Sequence, residues 1–139
     1  MKKYLLIAML FIIHTSVNAS DLYLVGEENQ RMGCITCNEY GGNSIWNDYS
    51  TYGNEYNGDS IWNDYGTYGN DYNSSCPWNE YGSGMKIVDL EGNYYGRFTI
   101  NDNNNQTEVP LLKSILDAYK KGNWKSLEAF RDWAAPQIP

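Results

Sequence analysis

The chain has 139 residues, 19% of them charged, with 17 acids against 10 Lys and Arg and a formal charge of −7. That balance argues against nucleic acid or an anionic bilayer as partner, since both are held mainly through Lys and Arg. Its one histidine, His14, lies in a segment expected to be removed. The mature chain then has no imidazole for general base work, for a nucleophile–His pair or for metal ligation.

Residues 1–19 have the pattern of a signal peptide. Lys2 and Lys3 precede an apolar run from Leu5 to Ile13, and Val17-Asn18-Ala19 is a small-residue cleavage site. The run is shorter than the ~20 apolar residues that a membrane anchor needs. The expected product is one mature domain, residues 20–139, exported to the periplasm or beyond, with no membrane insertion after cleavage. Losing Lys2 and Lys3 and no acid takes its formal charge to −9.

Residues 20–36 and 85–102 are expected to be two equivalent hairpins. Val25 to Asn38 aligns without gaps to Val88 to Asn101, with Gly33 on Gly96, Thr36 on Thr99 and Asn38 on Asn101. Each segment has two extended runs around a polar turn, Gly26 to Gln30 in one and Asp89 to Asn93 in the other. Together they predict one small antiparallel sheet.

Three cysteines, Cys34, Cys37 and Cys76, remain in the mature chain. In an exported protein the default is a disulfide, with one thiol left over. On a regular strand Cys34 and Cys37 would point to opposite faces. The favoured bridge therefore joins one of them to Cys76, stapling what lies between to the sheet.

Between the hairpins, residues 37–84 form three 16-residue repeats, 37–52, 53–68 and 69–84. Trp46, Trp62 and Trp78 each open a Trp-Asn-acid-Tyr phrase. Within each block the triad Asn-acid-Tyr occurs twice, starting at Asn38, Asn47, Asn54, Asn63, Asn70 and Asn79. Asn bonds to nearby backbone and Gly supplies positive φ, so each triad predicts a tight turn followed by an aromatic anchor. Most tyrosines are expected to pack inside. The candidate binding residues are Trp46, Trp62 and Trp78 with Tyr49, Tyr65 and Tyr81, some indoles facing solvent along one side. The acids Glu39, Asp48, Glu55, Asp64, Asp71 and Glu80 are hard oxygen donors of the kind calcium takes, which makes calcium the candidate cation; no other cofactor is expected.

Residues 101–107, with four asparagines, are expected to be a mobile connector. In the helical tail, residues 108–139, Pro110 stands at a first helical position. Leu111, Leu112, Ile115, Leu116 and Tyr119 follow at helical spacing, and Gly122 supplies the stop. Asn123 is the expected cap of a second helix carrying Trp124, Leu127, Phe130 and Ala134, ended by Pro136. The fold class is α+β: a small antiparallel sheet of two hairpins bracketing a turn-rich aromatic repeat, with two C-terminal helices packed on the sheet.

The residues Ser60-Ile61-Trp62-Asn63-Asp64-Tyr65-Gly66-Thr67-Tyr68-Gly69-Asn70-Asp71-Tyr72 resemble the tandem Ser-x-x-Asn-x-Tyr-Gly-x-Tyr-Gly-x-x-Tyr repeats of a family of short, exported, largely uncharacterised bacterial proteins. Met32 to Ile35 and Ile87 to Gly96 are similar to that family's flanks. The resemblance implies export and transfers no activity.

No catalytic residue is expected. The functional expectation is an exported, non-enzymatic protein whose acidic aromatic repeat is a structural or interaction surface. A glycan- or calcium-binding module at the cell envelope is the alternative, with an envelope glycan or protein as partner. Behind these stand two enzyme readings. A thiol redox site would use the Cys34–Cys37 spacing. A glycosidase pair such as Asp48 and Asp64 would need carboxylates about 5–9.5 Å apart in a cleft.

Overall fold

A computed structural model describes residues 20–139; the expected signal peptide lies outside the described residues. Four strands, β1 (Tyr23–Val25), β2 (Arg31–Cys34), β3 (Met85–Val88) and β4 (Tyr94–Phe98), form one antiparallel sheet in the order β2-β1-β3-β4. The two hairpins are equivalent down to backbone conformation. Asn29 (φ 62°) matches Gly92 (86°), and Gly33 (104°) matches Gly96 (85°). In each turn the first residue's N–H bonds the fifth residue's carbonyl, Gly26 to Gln30 and Asp89 to Asn93. Leu24, Met32, Ile87 and Phe98 turn inward and are fully buried.

The repeat between the hairpins is a solenoid of β-turns. N–H to C=O bonds three residues apart follow one another through the blocks: Gly41 to Asn38, Ser44 to Gly41, Asn47 to Ser44, Ser50 to Asn47 and Gly53 to Ser50. The series resumes at Asn57 to Asn54, and again at Asn73 to Asn70, running on through Ser60, Asn63 and Gly66 or Cys76, Asn79 and Gly82. Five three-residue steps plus one extra residue make a coil, which is the physical origin of the period of sixteen.

Successive coils are joined through the tryptophans. The indole N–H of Trp46 donates to Ile35 O (2.8 Å), that of Trp62 to Ile45 O (2.6 Å) and that of Trp78 to Ile61 O (2.8 Å). Ring centroids lie 5.4 Å apart from Trp46 to Trp62 and 5.5 Å from Trp62 to Trp78, so the three indoles form a column along the axis. The path of the coils leaves no room for a side chain at several glycines, and least at two of them. A Cβ on Gly53 would stand 1.8 Å from Asn47 O, and one on Gly69 1.9 Å from Asn63 O.

The cysteine pairing differs from the expected one. Cys34 bonds Cys37, with Cα atoms 5.5 Å apart, and Cys76 is a free, buried thiol. Strand alternation does not apply because β2 ends at Cys34, whose N–H already turns away to Asn43 O, and the chain bends beyond it. Cys76 lies two coils further along, in the column of Ser44 and Ser60. Its sulfur accepts from Trp78 N (3.4 Å), just as Ser44 Oγ and Ser60 Oγ accept from Trp46 N and Trp62 N. Burial pushes this thiol up to about 12, and the thiolate is the reactive form. Cys76 is therefore expected to ignore a thiol reagent until the protein unfolds. Cys76→Ser should cost less than about 1 kcal/mol in a urea melt, because two coils already use serine there. A loss well above that would show that the coils are not equivalent.

Two helices follow, α1 (Pro110–Lys121) and α2 (Leu127–Ala134), with a 3₁₀ turn at Ala135–Gln137. The first begins at Pro110 and stops at Gly122 as expected, whereas the second begins later than expected. Gly122 stops α1 in an extended conformation (φ −81°), and a Cβ there would stand 2.3 Å from the Trp124 indole nitrogen. Trp124 folds back so that this nitrogen donates to Ala118 O (3.1 Å). That leaves Ser126, not Asn123, to cap α2 by accepting from Ala129 N (3.0 Å). The connector at 101–107 is tied down: Asn101 and Asn104 side chains donate to Gly82 O, and buried Thr107 donates to Tyr95 O.

The indole column is the centre of the core. Trp78 meets Phe98 of the sheet (5.8 Å), Tyr119 of α1 (4.5 Å) and Phe130 of α2 (5.8 Å). The helices thus pack against the repeat's tryptophans, and the repeat is an integral layer of one core instead of an excursion from it.

Candidate functional site

The structure reverses the expected roles of the two aromatic types. Trp46, Trp62 and Trp78 are 2%, 1% and 3% exposed, so none of these three indoles is available to a partner. The tyrosines of all six triads, Tyr40, Tyr49, Tyr56, Tyr65, Tyr72 and Tyr81, are instead 84–93% exposed. Among the repeat tyrosines only Tyr68 is fully buried, its hydroxyl accepting from Glu27 N, while Tyr52 is half-buried.

Turn geometry explains the reversal. In the turn Ser44-Ile45-Trp46-Asn47 both central residues point into the core, as they do in the equivalent turns at Ile61-Trp62 and Pro77-Trp78. In an Asn-acid-Tyr turn the central pair is acid and tyrosine, and both project outward. The leading Asn holds the corner: its Oδ1 accepts from the tyrosine N–H at 2.8–3.0 Å in every triad. These are Asx-turns. Asn47, Asn63 and Asn79 also donate from Nδ2 to the carbonyls of Gly41, Asn57 and Asn73. The asparagine anchors, and the tyrosine is displayed.

Each coil therefore presents two rings on fixed stalks, at equivalent positions in successive coils. Tyr40, Tyr56 and Tyr72 make one row; Tyr49, Tyr65 and Tyr81 make the other. Between the rows the first two coils leave equivalent depressions. One of about 520 Å³ lies among Glu39, Tyr40, Asp48 and Tyr49, and one of about 370 Å³ among Glu55, Tyr56, Asp64 and Tyr65. Residues of α2 or its flanks close one side of each: Asp132 and Ala135 the first, Leu127 and Glu128 the second.

The six repeat acids do not gather as a calcium cage would require. Among the described residues the one cluster of three ligand atoms within 4.8 Å joins Asp21, Cys34 and Cys37, and its two sulfurs are consumed by the disulfide. Asp48 and Glu55 already face a cation, Arg131, at 4.0 and 3.8 Å. The Glu55 carboxyl is raised above its usual range, first by a hydrogen bond shared with Glu128 and then by burial, against the pull of Arg131. The Cys34–Cys37 pair lacks the helix N-terminus that activates redox thiols, since turns follow it.

Sequence reasoning did not single out Tyr40, Tyr56 and Tyr72, or Arg131. The acid beside each tyrosine was a usable signal, because neighbours in the centre of one turn share a side. For Arg131 the signal was its place on the apolar stripe Leu127, Phe130, Ala134.

Fold and surface together define a β-turn solenoid built between duplicated hairpins, carrying a double row of outward tyrosines. No protein-family model matches the chain, and no curated protein and no solved structure is significantly similar to it. Among the described residues no helix is long and apolar enough to cross a membrane.

Proposed function

We propose that this is an exported, non-enzymatic protein that uses its double row of tyrosines to bind a linear, uncharged glycan of the cell envelope. The exposure of all six triad tyrosines carries the reading. These rings contribute nothing to the core, yet their backbone is locked at every position, so ordering them on a ligand costs little entropy. A ring with a polar tip suits the face of a sugar, and the neighbouring carboxylates accept hydroxyl hydrogens while repelling polyanions. Successive indole centroids lie 5.4–5.5 Å apart, a repeat distance comparable to the length of one sugar ring. The leader-like first residues and the likeness to short exported repeat proteins support export.

Native gel electrophoresis through soluble xylan and soluble β-glucan tests this. Retardation by at least one is expected. The triple variant Tyr49→Ser, Tyr65→Ser, Tyr81→Ser should keep the wild-type melting temperature, since the rings are exposed, and weaken binding about ten-fold or more. Retardation that survives the triple change, or none with either glycan, would sink the reading. Intrinsic tryptophan emission should not move with glycan, since the three indoles of the repeat are buried.

A further inference from the structure

We propose a second binding site, on the outer face of the sheet, for an acidic saccharide. The register places Arg31 opposite Val25, Val25 opposite Lys86 and Lys86 opposite Arg97, so three cations stand in one row across four strands. The repeat contains no basic residue at all, which makes the row a local exception in an acidic protein. Among the described residues none of the three forms an ion pair. Like charges directly opposite on paired strands are destabilising, and Lys86 and Arg97 are such a pair. An incoming carboxylate would relieve that repulsion.

Arg31 and Lys86 of the row line a shallow cleft of about 570 Å³ that runs between the two hairpin turns, from Asn29 to Gly92, and Arg97 stands next to Lys86 outside it, on the neighbouring pocket. The cleft's volume lies within the range of small-ligand sites. Val25 and Val88 give it an apolar floor, and Tyr94, 52% exposed, stands at its rim. Arg31 is already oriented: its guanidinium lies 5.6 Å from the centre of the Tyr23 ring and donates to Leu90 O (3.2 Å). Its remaining N–H groups are free to grip a carboxylate as a fork. A sugar ring then lies along the valines beside Tyr94, with Asn29 and Lys86 within reach of its oxygens. Three cations are too few for a long polyanion, which the repeat would also repel, and they suffice for one or two carboxylates.

Calorimetric titration of the mature protein at low salt with digalacturonate, galactobiose and inorganic phosphate tests the site. Saturable binding of digalacturonate is expected, with galactobiose much weaker. Lys86→Gln and Arg31→Lys should each weaken digalacturonate about ten-fold or more. Lys86→Gln should also raise the melting temperature of the ligand-free protein by a few degrees, by removing the like-charge pair. The tyrosine triple variant should bind digalacturonate normally, so this site and the tyrosine rows stand or fall separately. Several outcomes would overturn the proposal: no digalacturonate binding, equal binding of galactobiose, inorganic phosphate bound as tightly as digalacturonate, or binding untouched by Lys86→Gln.

Discussion

Trp78→Ala is expected to lower stability more than alanine at any other tryptophan of the repeat, by about 3–5 kcal/mol in a urea melt. That is a large part of the ~5–15 kcal/mol that typically holds a domain together. Trp78 is where the three parts of the molecule meet: the indole of Trp62, Phe98 from β4, Tyr119 from α1 and Phe130 from α2. Its removal leaves a cavity between layers that rigid turns cannot collapse to fill, and leaves Ile61 O without its donor. Trp62 meets both flanking indoles and Phe130, whereas Trp46, at the column's end, has Trp62 as its aromatic partner. The expected order of loss is Trp78, Trp62, Trp46. Trp78→Phe separates ring from hydrogen bond: it keeps much of the packing, and the orphaned Ile61 carbonyl should cost about 1–3 kcal/mol. If alanine at all three positions cost the same, the column would be three independent plugs instead of one core.

The parts of this fold that were legible in the sequence are those written in local chemistry. Both hairpins follow from polar turns that need left-handed residues at Asn29 and Gly92, and α1 from an apolar stripe behind Pro110. The period of sixteen was also plain. Its division into five three-residue turns and one extra residue was not, because Ser44-Ile45-Trp46-Asn47 and Asn47-Asp48-Tyr49-Ser50 are equally good turn sequences. Which central pair faces the core depends on where each turn falls around the coil. A composition rule that treats Trp and Tyr alike therefore puts one of the two on the wrong side. Cys76 shows the same limit from another direction. As a cysteine it suggests a bridge, but its neighbours in the column show that it serves as a serine, accepting one backbone N–H.

The cation row on the sheet escaped for a related reason. Arg31, Lys86 and Arg97 are far apart in sequence, and only the order β2-β1-β3-β4 sets them side by side. Charge counted along the chain describes the acidic repeat well and hides a basic face assembled from both its flanks. The two proposed sites thus differ in kind. One is periodic and visible as a repeat, and the other exists only once the hairpins have paired.

Arg131→Ala is the second large effect, expected at about 3–5 kcal/mol. The side chain is 2% exposed, and its Nη1 donates to Gly53 O at 2.7 Å, across 78 residues of sequence. Its guanidinium also faces Asp48, Glu55 and Asp132. Those acids reach solvent to different degrees, so the loss comes chiefly from the cavity and from the stranded Gly53 carbonyl. Arg131→Lys should not rescue, because a single ammonium cannot serve the carbonyl and the flanking acids at once. Arg131→Met fills the space and isolates the electrostatic part, with an expected loss of about 1–3 kcal/mol. Its pH dependence follows from Glu55, whose raised pKa means that the folded state binds the proton more tightly than the unfolded chain. Ionising Glu55 therefore destabilises the fold, and this penalty disappears as pH falls through the raised value toward the ordinary 4.5. Arg131 holds the penalty down, and without it the Glu55 pKa rises further. The deficit of Arg131→Met relative to wild type should accordingly be larger at neutral pH and shrink as pH approaches 4.5. Asp89 moves the other way, its carboxyl held low by Asn93 and Tyr95, but it does so equally in both proteins and cancels. A deficit that grows on acidification would mean that Arg131 stabilises through partners other than Glu55.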